Sequence, residues 1–141
     1  VAMGQAVDGL KLATGRNMVV FIGYSGGGAV AALLAARRRD VAGLVTLAGV
    51  LDHRAWTAHH HVSPLDGSLN PADAAPALGN IPQLHLQGAT DETVPPATMD
   101  GFFNRQPAGS PVTRLILPAT RHDGPWAGPL IHHLPKWAGA G

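Results

Sequence analysis

The sequence predicts an α/β fold, an open and mainly parallel sheet of about four strands with helices on both faces. Three observations lead there. A continuous apolar run of strand length at residues 18–22, as in a parallel strand covered on both faces, is followed by further strand-like segments at 44–48, 83–87 and 112–117. Helix-patterned segments separate them, and that alternation implies right-handed parallel crossovers. The first run also passes into a helix through Gly23-Tyr24-Ser25-Gly26-Gly27, a glycine-rich strand-to-helix turn. Neither a repeat nor a linker divides the 141 residues, so a single domain over 1–141 is expected.

Each element has its own signal. Val1, Met3, Ala6, Val7, Leu10 and Ala13 fall near a three-four spacing, which predicts an amphipathic helix over 1–14 ended by Gly15. The alanines and leucines from Gly27 to about Arg38 predict the next helix, with Asp40 and Gly43 marking the turn into the second strand. Residues 50–80 hold four of the eight histidines and several prolines without a sustained period. Loop and short helical pieces are expected there, with Asn70-Pro71 capping a turn of helix through Ala72–Ala75. Gly88 ends the third strand. A helix from Pro96 to about Arg105 carries Met99, Phe102 and Phe103. The tail from Trp126 to Trp137 reads as short and broken by proline, with a weak helical pattern at Leu130, Ile131 and Leu134.

Composition narrows the function. A 45% hydrophobic and 13% charged chain can bury a core. A net charge of +1 gives no electrostatic case for nucleic acid or an acidic membrane. Arg37-Arg38-Arg39 reads as favourable charge at a helix C-terminus. With no cysteine, disulfides and thiolate metal sites are excluded. No apolar run reaches the ~18 residues of a membrane span, and residues 1–141 show no signal-peptide pattern. Val1 opens in what reads as mid-domain helix, so a longer, N-terminally truncated parent is the expectation.

The chemistry lies at the carboxyl ends of the strands, where open α/β sheets bind ligands. Ser25 follows the first strand. Its neighbours two before and two after are glycine, as a strained turn that projects a hydroxyl would require. A serine hydroxyl needs an imidazole to take its proton and a carboxylate to hold that imidazole. Asp91 stands a few residues past the third strand, on a loop closed by Pro95-Pro96, and His122 stands at a similar overhang past the fourth. Order, spacing and strand end agree for all three residues.

In these segments the chain resembles the C-terminal half of a serine hydrolase of the α/β-hydrolase family. The segments that match are Gly23-Tyr24-Ser25-Gly26-Gly27, Gly88 through Asp91 to Val94-Pro95, and His122 on its loop. Leu51-Asp52-His53-Arg54-Ala55-Trp56 and Ser68-Leu69-Asn70-Pro71-Ala72-Asp73-Ala74 look more loosely like a bacterial subfamily of often exported hydrolases, which would place the protein outside the cytoplasm or in the cell envelope. The resemblance implies Ser25 as nucleophile, His122 as general base and acid, Asp91 as orienting carboxylate and the Gly26 N–H as one oxyanion donor. It implies an ester or related small acyl substrate, an acyl-enzyme, and neither cofactor nor metal. A full sheet of that family has about eight strands, with the elbow after the fifth. The early strands and the other oxyanion N–H would lie outside this chain, leaving an apolar sheet edge that invites self-association.

Competing readings accompany each residue. Asp52, after the second strand, is the rival acid, and Glu92 is read as solvated. His132 and His133 are read as surface histidines of the tail. His59-His60-His61, with His53, cannot easily converge on one tetrahedral ion, so no metal site is expected. Their loop is expected to roof the site, with Trp56 as an apolar wall. Tyr24 is read as packing at the site's edge and, with Trp56, as a candidate substrate contact. Trp126 is read as packing over the sheet. Two other functions compete: a non-catalytic hydrolase fragment or interaction module with an incomplete oxyanion hole, and a nucleotide site at a helix N-terminus, for which Gly-Lys-Ser/Thr and Gly-x-Gly-x-x-Gly are lacking.

Overall fold

A computed structural model describes residues 2–15, 17–63 and 69–137. Its sheet has four parallel strands in sequential order: β1 (Val19–Tyr24), β2 (Val41–Leu47), β3 (Gln83–Gly88) and β4 (Val112–Leu117). The helices are α1 (Ala2–Thr14), α2 (Gly26–Arg37), α3 (His53–His59), α4 (Pro71–Ala74), α5 (Asp100–Asn104) and α6 (Ala127–Trp137). Short 3-10 turns at Ala75–Leu78 and Pro96–Met99 extend α4 and lead into α5.

Strand alternation divides the core into two layers. Leu44 joins Ala31, Ala32 and Ala35 of α2 with Leu51, Leu78, Met99 and Phe102 on one face. Val45, Leu47, Leu84 and Leu86 face the other side, under Trp126 and the Leu130, Leu134 and Trp137 stripe of α6. β1 is an edge strand. Its Val20, Ile22 and Tyr24 are 45–50% exposed, because the second layer does not reach them.

β3 carries a buried polar stripe, Gln83, His85 and Gln87, on the face opposite Leu84 and Leu86. His85 sits between the Thr46 hydroxyl at 2.7 Å and Gln83 Oε1 at 2.9 Å, with Phe102 and Phe103 edge-on to its ring. Burial pushes its pKa down to about 3, so the imidazole is neutral. A neutral ring with both nitrogens bonded meets the cost of burying a polar group.

Two expectations are corrected and a third is extended. The tail is one continuous helix. Pro129 lies in its first turn, where the missing N–H has no intrahelical acceptor in any case, and Pro135 lies in its last. Gly43 is inside β2, not at a turn, because the Trp137 ring lies on it; an added Cβ would sit 2.5 Å from that ring. Arg38 does more than complement the α2 dipole. It bonds Asp8 at 2.6 Å and Asp40 at 2.8 Å, while Lys11 bonds Asp40 at 2.6 Å, so α1 is tied to the α2–β2 turn. The Arg38 and Lys11 hydrogen bonds hold the Asp40 carboxyl well below the usual range.

Candidate active site

Ser25 occupies the turn between β1 and α2 with φ 54° and ψ −121°, a conformation side-chain-bearing residues rarely adopt. Backbone bonds over-determine it: its N–H donates to the Leu47 carbonyl, and its own carbonyl accepts from Val50 and Gly28. A Cβ at Gly23 would lie 2.2 Å from the Gly27 carbonyl oxygen, so the glycine two before the serine is dictated by backbone contact. The glycine two after it is not. A Cβ at Gly27 would meet nothing within 4 Å, and the tight position is Gly28, 2.9 Å from the Gly49 Cα. Gly26 opens α2, so its N–H has no intrahelical acceptor and lies at the positive end of the helix dipole.

His122 and Asp91 complete a hydrogen-bonded chain. His122 Nε2 is 3.0 Å from Ser25 Oγ, and Nδ1 is 2.9 Å from Asp91 Oδ2. The Asp91 side chain is fully shielded from solvent. Its other oxygen accepts the Thr93 and Val94 backbone N–H groups at 2.9 and 2.8 Å, so the carboxylate is locked by its own loop. The acid and base loops are then joined. Thr90 N donates to the Thr120 carbonyl, and Gly88 approaches that carbonyl so closely that a Cβ would stand 2.2 Å from the oxygen.

The His122 loop is held at its carbonyl oxygen, which accepts the Tyr24 hydroxyl and Trp126 Nε1, each at 3.0 Å. The Tyr24 and His122 rings also lie 5.2 Å apart. The Tyr24 hydroxyl is therefore committed to the base loop, and Trp126 both packs in the second core layer and bonds that loop. Neither bond has a sequence signal. One spans 98 positions, and the other depends on how the turn after β4 folds back.

α3 closes the other side. Trp56 Nε1 and His60 Nε2 both donate to the Thr93 carbonyl, at 3.0 and 2.5 Å, which docks this helix on the acid loop. Trp56 and His53 share a hollow of about 530 Å³ with Ser25. His53 Nδ1 is buried without a partner, and burial, opposed by Asp52, holds its pKa below the usual range. Asp52 is not beside His122. It caps α3 by accepting the Ala55 N–H and binds Asn70 Nδ2, while Asn70 caps α4. Glu92 is exposed, and His132 and His133 lie on α6, half-buried or exposed. His59 and His61 are exposed on the outer part of the α3 loop.

Comparison with known proteins agrees with this architecture. No family model matches the sequence, and no curated protein is significantly similar to it. Among solved structures, an alpha-beta serine hydrolase homologue from Coxiella burnetii superposes with a TM-score of 0.67 at 20% identity, over 98% of this chain and 56% of its own. The esterase domain of a Rhodothermus marinus protein gives 0.73 at 18% identity, over 95% of this chain and 66% of that one. A puromycin-hydrolyzing peptidase from Mycobacterium tuberculosis gives 0.68 at 20% identity, over 84% of this chain and 21% of that one. The chain thus spans between a fifth and two thirds of the length of these neighbours. Strand order, the serine elbow and these superpositions together give the chain the fold of the later half of an α/β hydrolase.

Proposed function

We propose that this chain carries the reacting groups of a serine hydrolase acting on a carboxylic ester or related acyl substrate. The observation that supports it best is the continuous chain from Ser25 Oγ through both nitrogens of His122 to the shielded Asp91 carboxylate. Ser25 Oγ attacks the acyl carbon as His122 Nε2 takes its proton, and negative charge develops on the carbonyl oxygen, for which the Gly26 N–H is the oxyanion donor in this reading. The acyl carbon–leaving oxygen bond then breaks, and His122 returns the proton to the departing alcohol. Water, deprotonated by His122, attacks the acyl-enzyme, and Ser25 leaves with the proton. Asp91 fixes the Nδ1–H tautomer and stabilises the imidazolium. None of these steps calls on a cofactor or metal.

Labelling with a fluorophosphonate tests the reading. Covalent modification of the wild type, lost in Ser25→Ala and in His122→Ala, is the expected result. A folded protein that is not modified would instead support the reading of a non-catalytic hydrolase fragment whose oxyanion hole is incomplete.

A further inference from the structure

Two hollows of different character flank the Ser25–His122 bond. One, of about 530 Å³, has Ser25 and Gly26 in its wall and is otherwise lined largely by apolar groups, Val30 and Leu33 of α2, Trp56 of α3 and Leu69 among them. The other, of about 680 Å³, has His122 in its wall beside Glu92, Arg121, Asp123 and two threonines.

Acyl transfer assigns a side to each half of the substrate. The oxygen that departs must receive its proton from His122 Nε2, so the leaving group lies on the His122 side. With the leaving group on the His122 side, the acyl substituent takes the other hollow, the one walled by Ser25 and Gly26. From Gly26 to Leu33 the apolar wall runs along α2 for about 10 Å, seven residues at ~1.5 Å each. That is the reach of a medium-chain acyl group. The other cleft offers two carboxylates and a guanidinium, which can hydrogen-bond hydroxyls. Resting on the hydrolase reading above, we propose that the substrate class is an ester joining an apolar, medium-chain acid to a polar, hydroxyl-bearing alcohol.

Phosphonofluoridates that differ only in the alkyl group on phosphorus test the acyl side without requiring turnover. Each forms a Ser25 Oγ–P bond and releases fluoride, with the serine proton passing to His122. The octyl probe is expected to label Ser25 at least roughly tenfold faster than the methyl probe, the scale set by a few buried methylenes. Val30→Glu, on a residue already 46% exposed, is expected to erase most of that ratio. A reversed ester pair tests both sides together: glyceryl octanoate is expected to be hydrolysed with at least a tenfold higher kcat/KM than octyl glycolate. Labelling at equal rates by both probes, or a preference for octyl glycolate, would overturn this inference and leave the hydrolase reading standing. Labelling by neither probe would overturn the hydrolase reading, and this inference with it.

Discussion

The Tyr24 hydroxyl donates to the His122 carbonyl oxygen at 3.0 Å, so the residue before the serine holds the backbone of the histidine that contacts it. One β1 side chain thereby couples the first and last loops of the site. Trp126 supplies a second donor to the same oxygen, so the two are partly redundant. Tyr24→Phe keeps the ring against His122 and removes one neutral hydrogen bond, worth about 1 kcal/mol. Ester hydrolysis should fall roughly fivefold in kcat with little change in KM, and Trp126→Phe added to it should cost more than the two singles combined. A loss confined to KM would mean that Tyr24 contacts substrate instead.

Asp91→Asn separates the two duties of that carboxylate. Placing the amide oxygen on the Thr93 and Val94 N–H groups preserves the loop, so the fold and its thermal midpoint should be nearly unchanged. The amide then presents a donor to His122 Nδ1, which favours the tautomer unable to accept from Ser25. Turnover should fall by roughly 10⁴. Matched melting curves alongside steady-state kinetics distinguish this outcome from unfolding.

The elbow makes a contrasting pair of predictions. Gly23→Ala drives a methyl to within 2.2 Å of a backbone oxygen and should destabilise by about 1–3 kcal/mol or more, with loss of Ser25 labelling. Gly27→Ala meets open space within α2 and replaces the poorer helix former, so it should be neutral or stabilising by up to about 1 kcal/mol. Denaturant midpoints of the two variants decide the matter. Equal destabilisation would show that the glycine on the helix side is also required sterically.

The residues that organise the sheet were legible because their physics is local. β1 appears as an apolar run and β2 as a largely apolar one, β3 and β4 as short segments bounded by glycine or proline, and Ser25, Asp91 and His122 stand just past the ends of β1, β3 and β4. What escaped depends on contacts made at a distance. Gly43 resembles a turn residue until Trp137, 94 positions later, is seen lying on it. Pro129 and Pro135 resemble helix breakers until their places in the first and last turns of α6 are known. Asp52 and Asp91 both follow strands and both cap their own loops; the fold, through the position of His122, separates them. Gln83, His85 and Gln87 alternate with leucines as an exposed strand face would, yet the α5 side covers them.

The buried histidine of that stripe should weaken the fold in acid. His85 is neutral in the folded state with a pKa of about 3, whereas an unfolded histidine titrates near 6.5. A pKa depressed by folding means that the unfolded chain binds the proton first. The stabilisation from keeping His85 neutral is therefore fully present above about pH 6.5 and is lost as pH falls toward 3, with a limiting slope of about 1.4 kcal/mol per pH unit. His53, also depressed by burial, acts in the same direction. Urea midpoints measured from pH 8 to pH 3 should be flat above 7 and fall steadily below 6.5, before the carboxylates begin to titrate. His85→Gln should flatten the limb between pH 6 and 4, at the cost of lower stability at neutral pH, because the Thr46 hydroxyl and the Gln83 amide lose a fitted partner. An unchanged limb in that variant would show that groups other than His85 control the acid transition.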